Sequence, residues 1–543
     1  MEDRENVGVT ARSAAPRSVE IPVRCSSLCV LCSFLCVLVF CAVGCAPKPA
    51  VAPTAVQPTP AQRLASADAL VREGCLECLL DAYGEYDLLR AFPYARDAAT
   101  SGAIRAAALV ARRQRELGMI DEGYLQRARS LLVTAPAAPA WTATVLDTLE
   151  ALPAAGGGMM RTPTSDLDLE RQRRLRVNFD AWSGRLREAA SIDELGAYAW
   201  LSLACGASEL RDLTIEQLFE PVAAFRETPL IAVKRATCRR LAPEGLRALV
   251  AANPRFKEVN YWLGLIAVGD RKLDDADKRY EEAYAWRQQW PTVTQSIANV
   301  AMTSEEFQRS LAFYDRTLDL EPHAVDAMLG RIRALTYLGR DVDAIDTADR
   351  LIAERWFVGD ARYWRALNES ELDRNDDAWI DIEAAAKLLI NADVPKLAGL
   401  IAYRRHDLEL SRTKFALAHT RNANDCETAF YLGVVDAELR DWQPTADVLI
   451  AAARCLQEYE NGYQREIASI EASDDPPARK AAKIARRQQY IAKGRRQMAT
   501  AWFDTAVACY NLSRKDDAQQ YAEKVAADEQ FGARARELLS LLR

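Results

Sequence analysis

The sequence predicts an all-α solenoid: antiparallel helix pairs stacked side by side, with one long helical hairpin inserted among them. Three observations predict it. Small residues recur at a fixed spacing, since Ala276, Ser310, Ala344 and Ala378 stand 34 apart and Ser411 follows 33 later; repetition at such a period is the mark of a stacked array. Ala, Leu, Arg, Glu and Asp dominate the second half while Val/Ile/Thr alternation is scarce, which favours helices over strands. Finally, 543 residues are too many for one hydrophobic core but ordinary for units that touch only their neighbours. Half the residues are hydrophobic and 27% are charged, so the chain has a folding composition. Its net charge of −7 gives no reason to bind nucleic acid.

The chain opens with a targeting segment, residues 1–45. Arg12, Arg17 and Arg24 precede an uncharged run from Cys25 to Gly44, and Cys45 follows. A basic lead, an apolar run and small closing residues make an export signal. Ala42-Val43-Gly44-Cys45 resembles the bacterial lipobox, which implies that the Cys45 thiol is acylated and becomes the new N-terminus. Ala42 stands where that family prefers Leu, and the stretch before the apolar run is long for such a signal, which leaves the true start codon open. The competing reading is an uncleaved membrane anchor, because about 20 apolar residues span a bilayer. On either reading the body is membrane-attached in the bacterial cell envelope, facing the periplasm. Ala46, by resemblance to the sorting rule of enteric bacteria, favours the outer membrane. Residues 46–61, APKPAVAPTAVQPTPA, form an extended Pro/Ala tether.

Next come the repeats. Tyr280, Tyr314 and Phe415 each lie four residues after a small residue of the series, and Gly264, Gly399 and Gly433 mark the preceding helix. Two helices of about a dozen residues cross closely only where small side chains meet. Gly or Ala of the first helix is expected against Ala or Ser of the second, with the aromatic ring filling the space against the next pair. This pattern resembles the tetratricopeptide repeat. The resemblance covers residues 255–458 as six repeats, beginning near 257, 291, 325, 359, 392 and 426, and a seventh with its cap at 499–543. It implies a right-handed helical solenoid. Ile332 and Thr445 depart from the pattern, where Gly or Ala and Ala are expected.

The remaining segments are read from composition. Residues 62–153 look like degenerate helical repeats, 154–165 form a Gly-rich linker, and 166–254 are helical with weak register, broken at Pro221, Pro229 and Pro243. Between the sixth and seventh repeats, 459–498 form the inserted hairpin. Its first arm is acidic, including Glu460, Glu466 and Asp475; Pro476-Pro477 turns the chain; its second arm is basic, from Arg479 to Arg496. A basic arm for anionic lipid or nucleic acid is one reading. Two antiparallel helices that neutralise each other, extending the flanking helices by roughly 24 Å, is the favoured one.

Chemistry is scarce. No Walker loop, Rossmann fingerprint, nucleophile elbow or HExxH motif appears, and His323, His406 and His419 have no metal-ligand spacing, so no cofactor or metal is expected. Cys75-x-x-Cys78 is read as two core thiols on one helix face in preference to a redox pair, and Cys205 and Cys238 could pair in an oxidising compartment. Asp274-Asp275, Asp376-Asp377 and Asp516-Asp517 recur before second helices, as helix-dipole stabilisation demands. The expectation is a non-catalytic scaffold. The resemblance implies a groove lined by first helices that takes a protein or peptide partner, with Tyr261, Gln295, Asn299, Arg333, Tyr337, Tyr363, Tyr403, Arg404 and Tyr510 facing it. Two alternatives stay open: an assembly factor for an outer-membrane barrel or pilus secretin, and an enzyme with a site in 166–252.

Overall fold

A computed structural model describes residues 58–136, 138–153, 166–210 and 212–542. The signal segment with Cys45, most of the Pro/Ala tether and the linker at 154–165 lie outside the described residues. The described chain holds twenty-five α-helices and no strand. None of these helices is long and apolar enough to cross a membrane.

The first part contains α1 (Pro60–Glu73), α2 (Leu76–Leu89), α3 (Arg96–Leu117), α4 (Tyr124–Val133), α5 (Thr142–Ala151), α6 (Asp166–Ala189), α7 (Glu194–Ala204), α8 (Ile215–Phe219), α9 (Pro229–Thr237) and α10 (Pro243–Ala252). The regular pairs follow: α11 (Val259–Gly269) with α12 (Leu273–Trp286), α13 (Pro291–Thr303) with α14 (Phe307–Leu320), α15 (Val325–Tyr337) with α16 (Asp341–Ala353), α17 (Val358–Glu371) with α18 (Asn375–Ala386), and α19 (Asp393–Arg404) with α20 (Leu408–Arg421). The sixth pair is α21 (Cys426–Glu438) with α22 (Trp442–Ala472), and the seventh is α23 (Pro477–Asn511) with α24 (Lys515–Lys524); α25 (Gly532–Leu542) caps the array.

The pairing rests on the small residues. Ser310 Oγ donates to the Ala298 carbonyl and Ser411 Oγ to the Gly399 carbonyl, both at 2.9 Å and both buried. A serine at the crossing thus packs as an alanine would and satisfies itself on the opposing helix. The rings bridge their own pair and the next. Tyr280 and Phe415 lie on Gly264 and Gly399 of their own pair, while Phe415 also stacks on Tyr431 of the next, with centroids 5.5 Å apart, and Tyr314 lies against Gly330 of the next. Ile332 is accommodated where Ala348, and not an aromatic ring, stands on the partner helix; both are buried in one cluster. Thr445 is accommodated because its hydroxyl donates to Asp441 O of its own helix at 2.7 Å.

Each pair turns at one left-handed residue: Arg271, Glu305, Gly339, Asp373, His406, Arg440 and Ser513 all have positive φ. From Arg271 to Arg440 their spacing is that of the repeat, and Ser513 resumes it after the hairpin, although only one is glycine. The recurrent acid pairs occupy the first turns of α12, α18 and α24, where the helix dipole favours them. Successive first helices (α13, α15, α17, α19, α21, α23) approach one another more closely than successive second helices. They therefore form the inner wall of the curve.

Among the described residues there are three disulfides. Cys75 bonds to Cys78, Cys205 to Cys238, and Cys426 to Cys455. The first corrects the expectation of two free core thiols. Cys75 is the N-cap of α2 with extended backbone, so its sulfur lies over the helix start and accepts the Cys78 N–H at 2.9 Å. The third joins the start of α21 to the middle of α22, positions that antiparallel packing brings together. Among the described cysteines only Cys509 is free, and it is buried.

Candidate functional site

The inner wall is read by register along the first helices. One row runs Asn299, Arg333, Leu367, Leu400, Val434 and Val507; beside it runs Thr303, Tyr337, Glu371, Arg404, Glu438 and Asn511. Leu367, Leu400, Val434 and Val507 are all partly buried and pack on the core beneath. Repeats four to seven thus offer an aliphatic stripe next to a row of charge. The charges are held in place: Arg404 pairs with Glu371 at 3.0 Å and also donates to Ser370, while the Tyr403 hydroxyl donates to Glu438.

Repeats two to four carry an aromatic row instead. Tyr337 is half exposed and stacks on Phe307, with ring centroids 4.5 Å apart and planes within 11°. Its other side meets the edge of Trp364, which Tyr363 flanks at 5.5 Å and the Arg333 guanidinium covers at 5.9 Å. Asn299 is exposed and accepts the Tyr314 hydroxyl at 2.7 Å. Gln295 and Tyr363 are half-buried, and Tyr510 is exposed at the last repeat. Tyr261 sits elsewhere. At 6% exposure, between Tyr280 and Trp290, its ring is committed to the core. The choice of Tyr and Arg in the sequence passed over the aliphatic positions 367, 400, 434 and 507; following the repeat register from Arg333, with its one 33-residue step and past the inserted hairpin, finds them.

Burial shifts acids along this region. Glu369 is pushed up to about 7 by burial and by Asp381, against the opposing pull of Arg365. At the far end, burial raises Asp504 to about 6 despite Arg534.

Polar groups also converge outside the groove. Glu116 is buried and accepts from Arg112 at 2.9 Å, from the Tyr198 hydroxyl at 2.6 Å and from Lys234. Arg113 donates to Tyr198 and to Glu258, and Glu258 also accepts the Leu76 N–H at 2.9 Å. Burial works against the ionised Glu116, but Lys234, Arg112 and Arg113 outweigh it and hold its carboxyl at about 2. Burial in turn lowers the Lys234 ammonium to about 8. Arg112, Arg113, Glu116, Tyr198, Lys234 and Glu258 are all buried, so this cluster joins α2, α3, α7 and α9 to the first repeat as a packed core. Open concavities include one of about 480 Å³ between α14, α15 and α16, lined by Asp315, Arg331 and Asp346, and one of about 300 Å³ between α3, α6 and the second repeat, lined by Arg115, Arg171 and Glu321. Neither gathers a nucleophile beside a base.

The paired helices, their crossing chemistry and the repeating left-handed turn together define a tetratricopeptide-like helical-repeat solenoid. No protein-family model matches the chain, and no curated protein matches it. Solved structures do. YrrB, described as a TPR protein with an unusual peptide-binding site, is 19% identical over 32% of this chain and 91% of its own, with a TM-score of 0.28. A tetratricopeptide repeat protein from Parabacteroides merdae is 13% identical over 53% of this chain and 98% of its own, at 0.33. The Cut9–Hcn1 hetero-tetramer of APC/C is 12% identical over 88% and 94%, at 0.36.

Proposed function

We propose that this chain is a non-catalytic scaffold, tethered to a bacterial envelope membrane through Cys45, that holds an extended protein segment along the inner wall of its solenoid. One observation carries the binding reading: the aliphatic stripe Leu367, Leu400, Val434 and Val507 runs beside the fixed charges of Glu371, Arg404 and Glu438. An extended segment could bury alternate apolar side chains on the stripe and set its register by the charges. The three disulfides support a compartment outside the cytoplasm, because such bonds persist where thiols are oxidised.

Site-specific photocrosslinking in cells tests this. A crosslinker at Leu400 is expected to capture a discrete partner that Val434→Arg abolishes, while one at Asp346 on the outer side captures nothing comparable. Equal capture from both positions would remove the groove reading. Intact mass tests the tether separately: a start at Cys45 plus acyl chains is expected, and retention of residues 25–44 without lipid would replace the lipid with an anchor.

A further inference from the structure

In a solenoid each repeat touches only its neighbours. The hairpin breaks that rule. The basic arm of α23 does pair with the acidic arm of α22, through Arg487 to Glu466 at 2.7 Å and Arg495 to Glu460 at 2.7 Å, and with the turn, through Lys483 to Asp475 at 2.8 Å. Tyr463 and Tyr490 pack between the arms with centroids 5.4 Å apart. But its cations also reach back to the start of the array. Arg479 contacts Asp274 of α12 at 3.1 Å and Glu306 at 2.5 Å; Arg487 donates to Glu305 at 2.5 Å; the Arg486 guanidinium lies 4.1 Å over the Phe307 ring. Hairpin charges read from sequence as self-neutralising therefore also join repeats six and seven to repeats one and two.

We infer that the α22–α23 hairpin is an electrostatic clasp, which closes the arc of the solenoid and opens when its charges are screened or captured. Two features point to a clasp and against a fixed brace. The two ends differ in chemistry. At its base the hairpin is built into the core, with Leu456, Met498 and Ala501 in one buried apolar cluster. At its tip the contacts with repeats one and two are ion pairs and one cation–ring contact, in which Asp274 is 80% exposed and Arg479, Arg487, Glu305 and Glu306 keep partial contact with water. Ion pairs that water still reaches are individually weak and are screened by salt, less so the more they are buried. Glu305 is moreover the left-handed turn residue of its repeat, so it stands out from the helix ends where a basic arm can reach it.

The clasp also touches the inner wall. Arg486 covers Phe307, and Phe307 stacks on Tyr337, the first exposed aromatic residue of the groove. Opening frees the Phe307–Tyr337 stack and separates the ends of the arc, which would admit a segment from the side. This last step rests on the groove reading above; the clasp itself does not, and it is tested without ligand.

Spin labels at Ala482 and Gln308, attached to non-canonical residues in the full chain so that the disulfides stay intact, report the separation by pulsed electron resonance. One short, narrow distance is expected at about 50 mM salt. It should give way to a longer, broader distribution at about 1 M salt and in the Arg479→Glu, Arg486→Glu, Arg487→Glu variant. It should return when Asp274, Glu305 and Glu306 are also changed to Lys. A narrow distance that survives both high salt and charge reversal would make the hairpin a fixed brace and overturn the inference, as would its absence from the wild type at low salt. Should the triple variant lose helicity, the salt series and Arg487→Gln alone decide between the same two outcomes.

Discussion

Glu116 shows what a single side chain contributes to this architecture. Three cations, Arg112, Arg113 and Lys234, share its one buried carboxylate, and removing the anion leaves them facing one another in a low-dielectric core. Glu116→Gln is expected to cost about 3–5 kcal/mol, read as a lower denaturation midpoint with the helices of the first part melting earliest. The sign of the pH effect follows from its depressed value. The carboxyl titrates near 2 when folded and near 4.5 when unfolded, so its contribution is full above about pH 4.5 and is lost as pH falls toward 2, on the order of 3 kcal/mol. The variant should therefore show a flatter acid limb than the wild type, and an equally steep limb would exclude this carboxylate as its source. Glu369 has the opposite sign. Its folded value of about 7 means that stability is lost as pH rises through that value, and Glu369→Gln should raise the melting temperature at pH 8 by the equivalent of about 1 kcal/mol while changing little at pH 4. Neither role was legible in the sequence. Glu116 stands in the stretch read only as degenerate helical repeats, and nothing local marks its partners Tyr198 and Lys234, or Glu258 beyond them, as neighbours.

At the scale of helices the sequence was far more legible, because the repeat is a local pattern. The crossing at Ser310 and Ser411, the acid-led second helices and the long hairpin all follow from spacing along the chain. What spacing alone concealed was direction: Tyr261, at a first-helix position, turns into the core between two rings. A Cβ at position 264 would come within 2.4 Å of the Tyr280 ring, so Gly264→Ala should destabilise by about 1–3 kcal/mol through overpacking, whereas Gly269→Ala, with open space around it, should not. Cys426 and Cys455 make the same point for covalent links. Repeat register puts the start of a first helix near the middle of the extended α22, but the pair is 29 residues apart and no short motif flags it. Replacing both with Ser should lower stability by about 3 kcal/mol in the chain-entropy account, and the loss should vanish when wild type and variant are compared under reducing conditions.

For the molecule as a whole, the irregular first part and the regular array are one structure and not two. The Trp290 indole donates to the Leu117 carbonyl at 2.7 Å and Thr292 to Gly118 at 2.7 Å, while Arg113 reaches Glu258 at the entrance to α11. The region that resisted assignment by register is the one that caps the first repeats. A terminal repeat of a solenoid needs a polar or covered outer face, and here α1–α10 supply the cover. A fragment beginning at residue 255 should expose Trp262 and Trp290, lose hydrogen-exchange protection in α11 and α13, and associate at concentrations where the full chain stays monodisperse. Protection unchanged from the full chain would show instead that the array is self-sufficient.

The left-handed turn residues on either side of the hairpin, Arg440 and Ser513, carry a further consequence. The geometry of the array resumes after the insertion as though nothing had intervened, so the hairpin behaves as an exchangeable cassette grafted between two intact modules. Trimming α22 after Leu456 and starting α23 at Gln497, with a short Gly-containing linker between, should give an uninterrupted seven-unit array. The same junction is then a place where a reporter domain or a different arm can be installed without disturbing the wall that the first helices build.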